Sequence, residues 1–122
     1  MNRRDKPSDQ IVAEVTSWPG VKARPDMRGG YAFTVGDCEI GHLHGDYTAH
    51  FHFPKRVWEG LREQERIMAH PFFPLSQGPA ARDLETDADV REVIALMRLN
   101  YERMIGLTTF YGSIDASESR VA

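Results

Sequence analysis

Between Tyr31 and Phe53 the chain alternates apolar and polar side chains and is broken twice by a Gly-Asp pair, at Gly36-Asp37 and at Gly45-Asp46. Period-two alternation sends successive side chains to opposite faces of a strand, and Gly-Asp pairs supply tight reversals. The segment therefore predicts an antiparallel meander with strands over 31–35, 38–44 and 47–53. A two-residue turn at Gly45-Asp46 fixes the pairing of the second hairpin. It sets His44 opposite Tyr47, His42 opposite Ala49, Ile40 opposite Phe51 and Cys38 opposite Phe53. Those eight residues share one face. Glu39, Gly41, Leu43, Thr48, His50 and His52 take the other. The first set is the more apolar, so this register turns His42 and His44 toward the core and leaves His50 and His52 in solvent.

The flanks supply elements to cover such a sheet. Ser8 can cap a helix, with Asp9 near its positive end, and Ile11, Val12, Val15 and Trp18 recur at helical spacing before Pro19-Gly20. Val21 to Arg24 reads as a short strand. Pro54 suits the first position of a second helix carrying Val57, Trp58 and Leu61. From Met68 to Pro79 three prolines forbid a regular helix, and Ala80 to Leu84 reads as a short edge strand. Thr86-Asp87-Ala88-Asp89 resembles a capping box with Asp in place of Glu. Val90, Val93, Ile94, Met97, Tyr101, Met104 and Ile105 then form one stripe that ends at Gly106. The expected fold is α+β: an antiparallel sheet of about four or five strands with about three helices packed mainly on one face. The expected organisation is a single domain over 1–122, with a core over 8–106 and a polar and aromatic tail over 107–122.

Composition narrows the function classes. The chain has 122 residues, 41% hydrophobic and 27% charged, a globular balance with no need of disulfides. A net charge of -3 argues against nucleic acid as a partner, despite Arg3, Arg4 and Lys6. The single cysteine, Cys38, excludes an internal disulfide and a cysteine-based zinc site, and it fits a reducing compartment. No run approaches the roughly 20 apolar residues of a membrane span, and no apolar signal core follows the N-terminal arginines. The expectation is a cytoplasmic protein that engages neither membrane nor nucleic acid. Gly29-Gly30 lacks the strand–loop–helix context of a phosphate cradle, so no cofactor is implied.

The string Gly41-His42-Leu43-His44-Gly45-Asp46 resembles the signature of the luciferase-domain family, small bacterial and fungal domains that include fungal luciferase. Phe53-Pro54-Lys55-Arg56-Val57 resembles that family's entry into its middle helix. His70, Pro74, Ser76 and Gly78 resemble its following loop. Asp89-Val90 and Leu99-Asn100-Tyr101-Glu102-Arg103 resemble its final helix. Together they span about residues 11 to 104. Pro79 and Ala80 to Leu84 stand where the family carries an aromatic residue and an apolar strand.

Three readings of His42 and His44 are open. They can be core histidines bonded to backbone, Asp46 or Tyr47. They can line a pocket and act as general bases. They can chelate a metal, although this register recruits only His70 as a further ligand and turns Glu39 away. The resemblance favours the second: a small-molecule binder or enzyme, with cofactor-independent oxygenation of an enolisable aromatic compound as the implied chemistry. His42, His44, Asp46 and His70 are then the candidate catalytic residues, and Tyr47, Phe51, Ser76 and Tyr101 the candidate substrate contacts, with neither metal nor cofactor. The alternative is a non-enzymatic interaction module in which Phe110, Tyr111 and Ile114 of the tail dock on a second copy.

Overall fold

The computed structural model describes the backbone of residues 6–113 and the side chains of residues 6–106. The elements are α1 (Pro7–Val15), β1 (Val21–Pro25), β2 (Tyr31–Val35), β3 (Cys38–His44), β4 (Thr48–His52), α2 (Lys55–Glu63), β5 (Met68–Ala69), β6 (Pro79–Asp83) and α3 (Asp87–Ser113). The strands form one six-stranded sheet in the order β1-β2-β3-β4-β6-β5, antiparallel at every pairing. The α+β class is as expected. The sheet is wider because β5 arises inside the proline-rich stretch, where Met68 and Ala69 pair with Ala81 and Ala80.

Local chemistry explains the helix ends. Pro7 occupies the first turn of α1, where a fixed φ and a missing N–H cost nothing. Ser8 lies inside that turn and is not its cap. Its N–H donates to Asp46 Oδ1 at 2.8 Å, so the β3–β4 turn supplies the acceptor. Thr86 and Asp89 form the expected reciprocal cap: Asp89 N–H donates to Thr86 Oγ1 at 3.1 Å and Thr86 N–H to Asp89 Oδ2 at 3.0 Å. Helix α3 runs on through Gly106 to Ser113. Glycine costs a helix only about 1 kcal/mol relative to alanine, and no proline follows to enforce a stop. The side chains of Phe110 and Tyr111, and all of Ile114, lie outside the described residues.

Helices α1 and α3 cover one face of the sheet. Ile11, Val15, Val93, Leu96, Met97 and Tyr101 are buried in one cluster with Phe33, Leu43, Ala49 and Phe51. Gly41 permits the close approach of α3, because a Cβ there would lie 2.7 Å from Met97 Sδ and 3.0 Å from Phe51 Cδ1.

The hairpin register departs from expectation and turns over His42, Leu43 and His44 of β3, while Ala49 and Phe51 of β4 face the core as expected. The pairs are His42↔His50, Leu43↔Ala49 and His44↔Thr48, so the turn holds three residues, Gly45 to Tyr47, with Gly45 at φ 59°. On the other side of β3 the pairing steps from Thr34↔Glu39 to Phe33↔Gly41, which leaves Ile40 as a bulge. The bulge breaks the alternation, so Ile40 and Leu43 both reach the core although three residues apart. Cys38, expected inside, is exposed. Tyr47 sits in the turn and is 79% exposed. His42 and His44 point away from the helices, and His50 points with them.

Asn100 of α3 holds this arrangement in place. It is fully buried, and its Nδ2 donates to the carbonyls of Ile40 in the bulge and of His52 at the end of β4, each at 3.2 Å. Arg103 donates to its Oδ1. Replacing Asn100 with Leu strands both carbonyls at a cost of roughly 1–3 kcal/mol each. Urea denaturation of Asn100→Leu is therefore expected to show a large loss of stability, and Arg103→Gln, which leaves both carbonyl bonds in place and touches only the Oδ1 side of the amide, a smaller one.

Candidate functional site

The register brings four imidazoles together on the sheet face that the α1–α3 layer leaves open. Ring centroids stand 5.0 Å apart for His42 and His44, 5.2 Å for His42 and His50, 4.3 Å for His44 and His50, and 4.1 Å for His50 and His70. His42 and His44 come from β3, His50 from β4 and His70 from the segment after β5. His50 is the buried centre of the group, with Ala81 of β6 directly opposite. His44 is exposed and His42 half-buried. Of the sequence-derived candidates, His42, His44 and His70 thus converge, but on the outer face and not in the core.

Hydrogen bonds fix two of the four rings. His42 Nδ1 lies 2.7 Å from Glu39 Oε2, so Nδ1 carries a proton and Nε2 is the lone-pair nitrogen of the neutral ring. The bond to His42 also holds the Glu39 carboxyl below its ordinary range. His70 Nδ1 accepts from the N–H of Phe72 at 3.1 Å, which assigns its proton to Nε2. His50 has no hydrogen-bond partner at either ring nitrogen, and both atoms are buried. Burial pushes the His50 imidazole down to about 4, with His70, His44 and His42 adding repulsion. Burial also lowers His44, with His42 and Arg28 reinforcing the shift and Asp26 opposing it. His70 is lowered by burial and then by His42 and His44.

Apolar and charged groups frame the cluster. Beyond His70 lie Phe72 and Phe73, with centroids 5.6 and 5.2 Å away, and both rings are exposed. At the other end a cleft of about 200 Å³ is lined by Asp26, Arg28, Gly30, His44, Gly45 and Tyr47. Asp26 accepts from the N–H groups of Arg28 and Gly30, each at 2.8 Å, and those bonds lower its carboxyl. Glycine is required at position 30, where a Cβ would stand 2.3 Å from the Leu43 carbonyl.

The remaining candidates are elsewhere. Asp46 serves α1 through Ser8. Phe51 is buried on the helix side of the sheet. Tyr101 is buried there too, its hydroxyl donating to the Pro19 carbonyl at 2.7 Å. Ser76 is exposed in the loop after β5, its N–H bonded to the Phe73 carbonyl. His50 is the residue that sequence reasoning placed in solvent. Its signal was the even spacing of His42, His44, His50 and His52: a three-residue turn places all four on one face. His52 is exposed and lies outside the cluster.

Among the described residues, His42, His44 and His50 form a group whose donor atoms all lie within 4.8 Å of one another. The Luciferase domain family model matches residues 37–100, just over half of the chain and inclusive of all four imidazoles of the cluster. The chain belongs to the luciferase-domain family. No curated protein and no solved structure matches it. Among the described residues no helix is long and apolar enough to cross a membrane.

The burial of His50 predicts how the stability of this chain depends on pH. An unfolded His takes up a proton near pH 6.5, whereas folded His50 resists until about 4. Between these values the unfolded state binds more protons, so stability falls as the pH drops and is fully present above about 6.5. The full window corresponds to about 3 kcal/mol. In chelator-treated protein, denaturant midpoints from pH 7.5 to 4.5 are expected to fall steeply for the native sequence. His50→Phe, which cannot titrate, is expected to show a much flatter profile.

Proposed function

We propose that the imidazole face is a small-molecule site for an acidic, enolisable aromatic compound, held as its anion. The observation that carries this reading is the convergence of His42, His44, His50 and His70 with both nitrogens of His50 buried and unpartnered. A buried polar atom without a partner costs roughly 1–3 kcal/mol, a cost that a ligand hydroxyl bonded there removes. The exposed rings of Phe72, Phe73 and Tyr47 offer flat apolar contact at either end of the row, suited to a planar ligand. Arg28, beside His44, supplies positive charge for the developing anion.

The chemistry follows from proton transfer. Bare ring nitrogens of neutral imidazoles accept the acidic proton of the ligand, with His42 and His44 the rings nearest the open side. The proton passes to nitrogen and the electron pair stays on the ligand as an enolate or phenolate. Such an anion is electron-rich enough to react with oxygen, the chemistry implied by resemblance to fungal luciferase. The same site serves a binding protein that never completes that step.

The test is a titration of chelator-treated protein with simple phenolic and enolic ring compounds, followed through the histidine ring nitrogens by NMR. Shifts are expected at His42, His44, His50 and His70, with His52 unmoved, and His44→Ala is expected to weaken binding at least about tenfold, the scale of one lost charge-assisted hydrogen bond. An unresponsive cluster across the compound set would overturn the reading.

A further inference from the structure

We infer that His42, His44 and His50 form a binding site for one divalent transition-metal ion of the zinc class, with Glu39 as the carboxylate that orients His42. The inference rests on the reading of this face as the functional site and names a cofactor for it. The donor set comes from the strand register. His42 and His44 alternate on one face of β3, and His50 is paired directly across from His42 on β4. Their donor atoms lie within 4.8 Å of one another. Tetrahedral nitrogen ligands about 2.0–2.1 Å from zinc stand about 3.4 Å apart, so rotation of the rings about their side-chain bonds closes the set.

Two independent features point to an ion and not to a chance grouping of histidines. The first is the His42 Nδ1–H to Glu39 Oε2 bond at 2.7 Å. A ligating histidine usually gives its second ring N–H to a carboxylate or carbonyl, which fixes the tautomer and leaves Nε2 as the donor. The second is His50, only 4% exposed, with neither ring nitrogen satisfied. Coordination would satisfy one of them.

The set is open. Three protein ligands leave at least one coordination position, and exposed His44 places that position toward the uncovered side of the sheet. Imidazole ligands without thiolate suit zinc, cobalt, nickel, copper or iron rather than calcium or magnesium. His70 stands outside the triad, its ring 4.1 Å from that of His50 and its proton on Nε2. A metal there would hold the oxygen of an acidic ligand as its anion, the role that the bare nitrogens fill in the metal-free site.

The experiment is titration of the untagged, chelator-treated full chain with Co²⁺ alone, read by its visible d–d absorption and by histidine ring NMR, with Zn²⁺ as competitor. One equivalent is expected to bind with shifts at His42, His44 and His50, and Zn²⁺ is expected to displace it. His44→Ala, a change at an exposed position, and His42→Gln are expected to abolish the absorption. Glu39→Gln is expected to weaken binding roughly 10–100-fold. His52→Ala is expected to bind like the native sequence. Native folding of each variant is checked by its metal-free amide spectrum. Absence of the absorption in the native protein, or its persistence in both His44→Ala and His42→Gln, would overturn the inference. Failure here alongside phenolic shifts in the metal-free protein would leave the small-molecule reading standing. Metal binding without any phenolic shift would do the reverse.

Discussion

The buried amide of Asn100 is the interaction on which the rest of this structure depends. It reaches from α3 through the core to two carbonyls, one in the β3 bulge and one at the end of β4. A bulge alone would leave a core carbonyl without a partner. With Asn100 in place the bulge is satisfied, and the strand beyond it is committed to a single phase. That phase sends Leu43 inward and His42 and His44 outward. A one-residue slip of β4 against β3 would separate His50 from the other two. The site therefore depends on a polar group on the opposite side of the sheet.

The same division of labour runs through the molecule. The helix side holds the apolar mass: Phe33, Leu43, Phe51 and Met97, with Gly41 allowing α3 to settle close. The outer side holds the four imidazoles, which the fold leaves uncovered by α1 and α3. Concentrating imidazoles there has a cost, because burial and repulsion disfavour the protonated forms of His44, His50 and His70. These three rings are held toward the neutral form, which carries a lone pair. Lone pairs take up protons, hydrogen-bond donors or metal ions, and a frame of Phe72, Phe73, Tyr47 and Arg28 narrows which ligands can approach.

Much of the fold was legible in the sequence because it is carried by strong local signals. Strands β2 and β3 follow from alternation and Gly-Asp turns, and the start of α3 from its Thr86–Asp89 cap. Strand β5 was not legible, since two residues just ahead of Pro71 carry no period of their own and exist through pairing with β6. The extension of α3 past Gly106 reflects how weakly one glycine opposes a helix. For the site, histidine identity was legible but its facing was not. Gly45-Asp46 fits a two-residue turn and also the first two positions of a three-residue one, and the choice reverses His42, Leu43 and His44 of β3 while Ala49 and Phe51 of β4 face the core as expected. The bulge at Ile40 hid the error, because Ile40 is buried in either register. What decides between the two is the long-range bond from Asn100, sixty residues away, which no local pattern contains.

The strand pairing that creates the cluster can be measured directly. In isotope-labelled protein, cross-strand nuclear Overhauser contacts between backbone protons report which residues of β3 and β4 stand opposite. Contacts linking His42 with His50 and Leu43 with Ala49 are the predicted result. Contacts linking His42 with Ala49 and His44 with Tyr47 would contradict the account, because they would place His50 on the opposite face from His42 and His44 and dissolve the site.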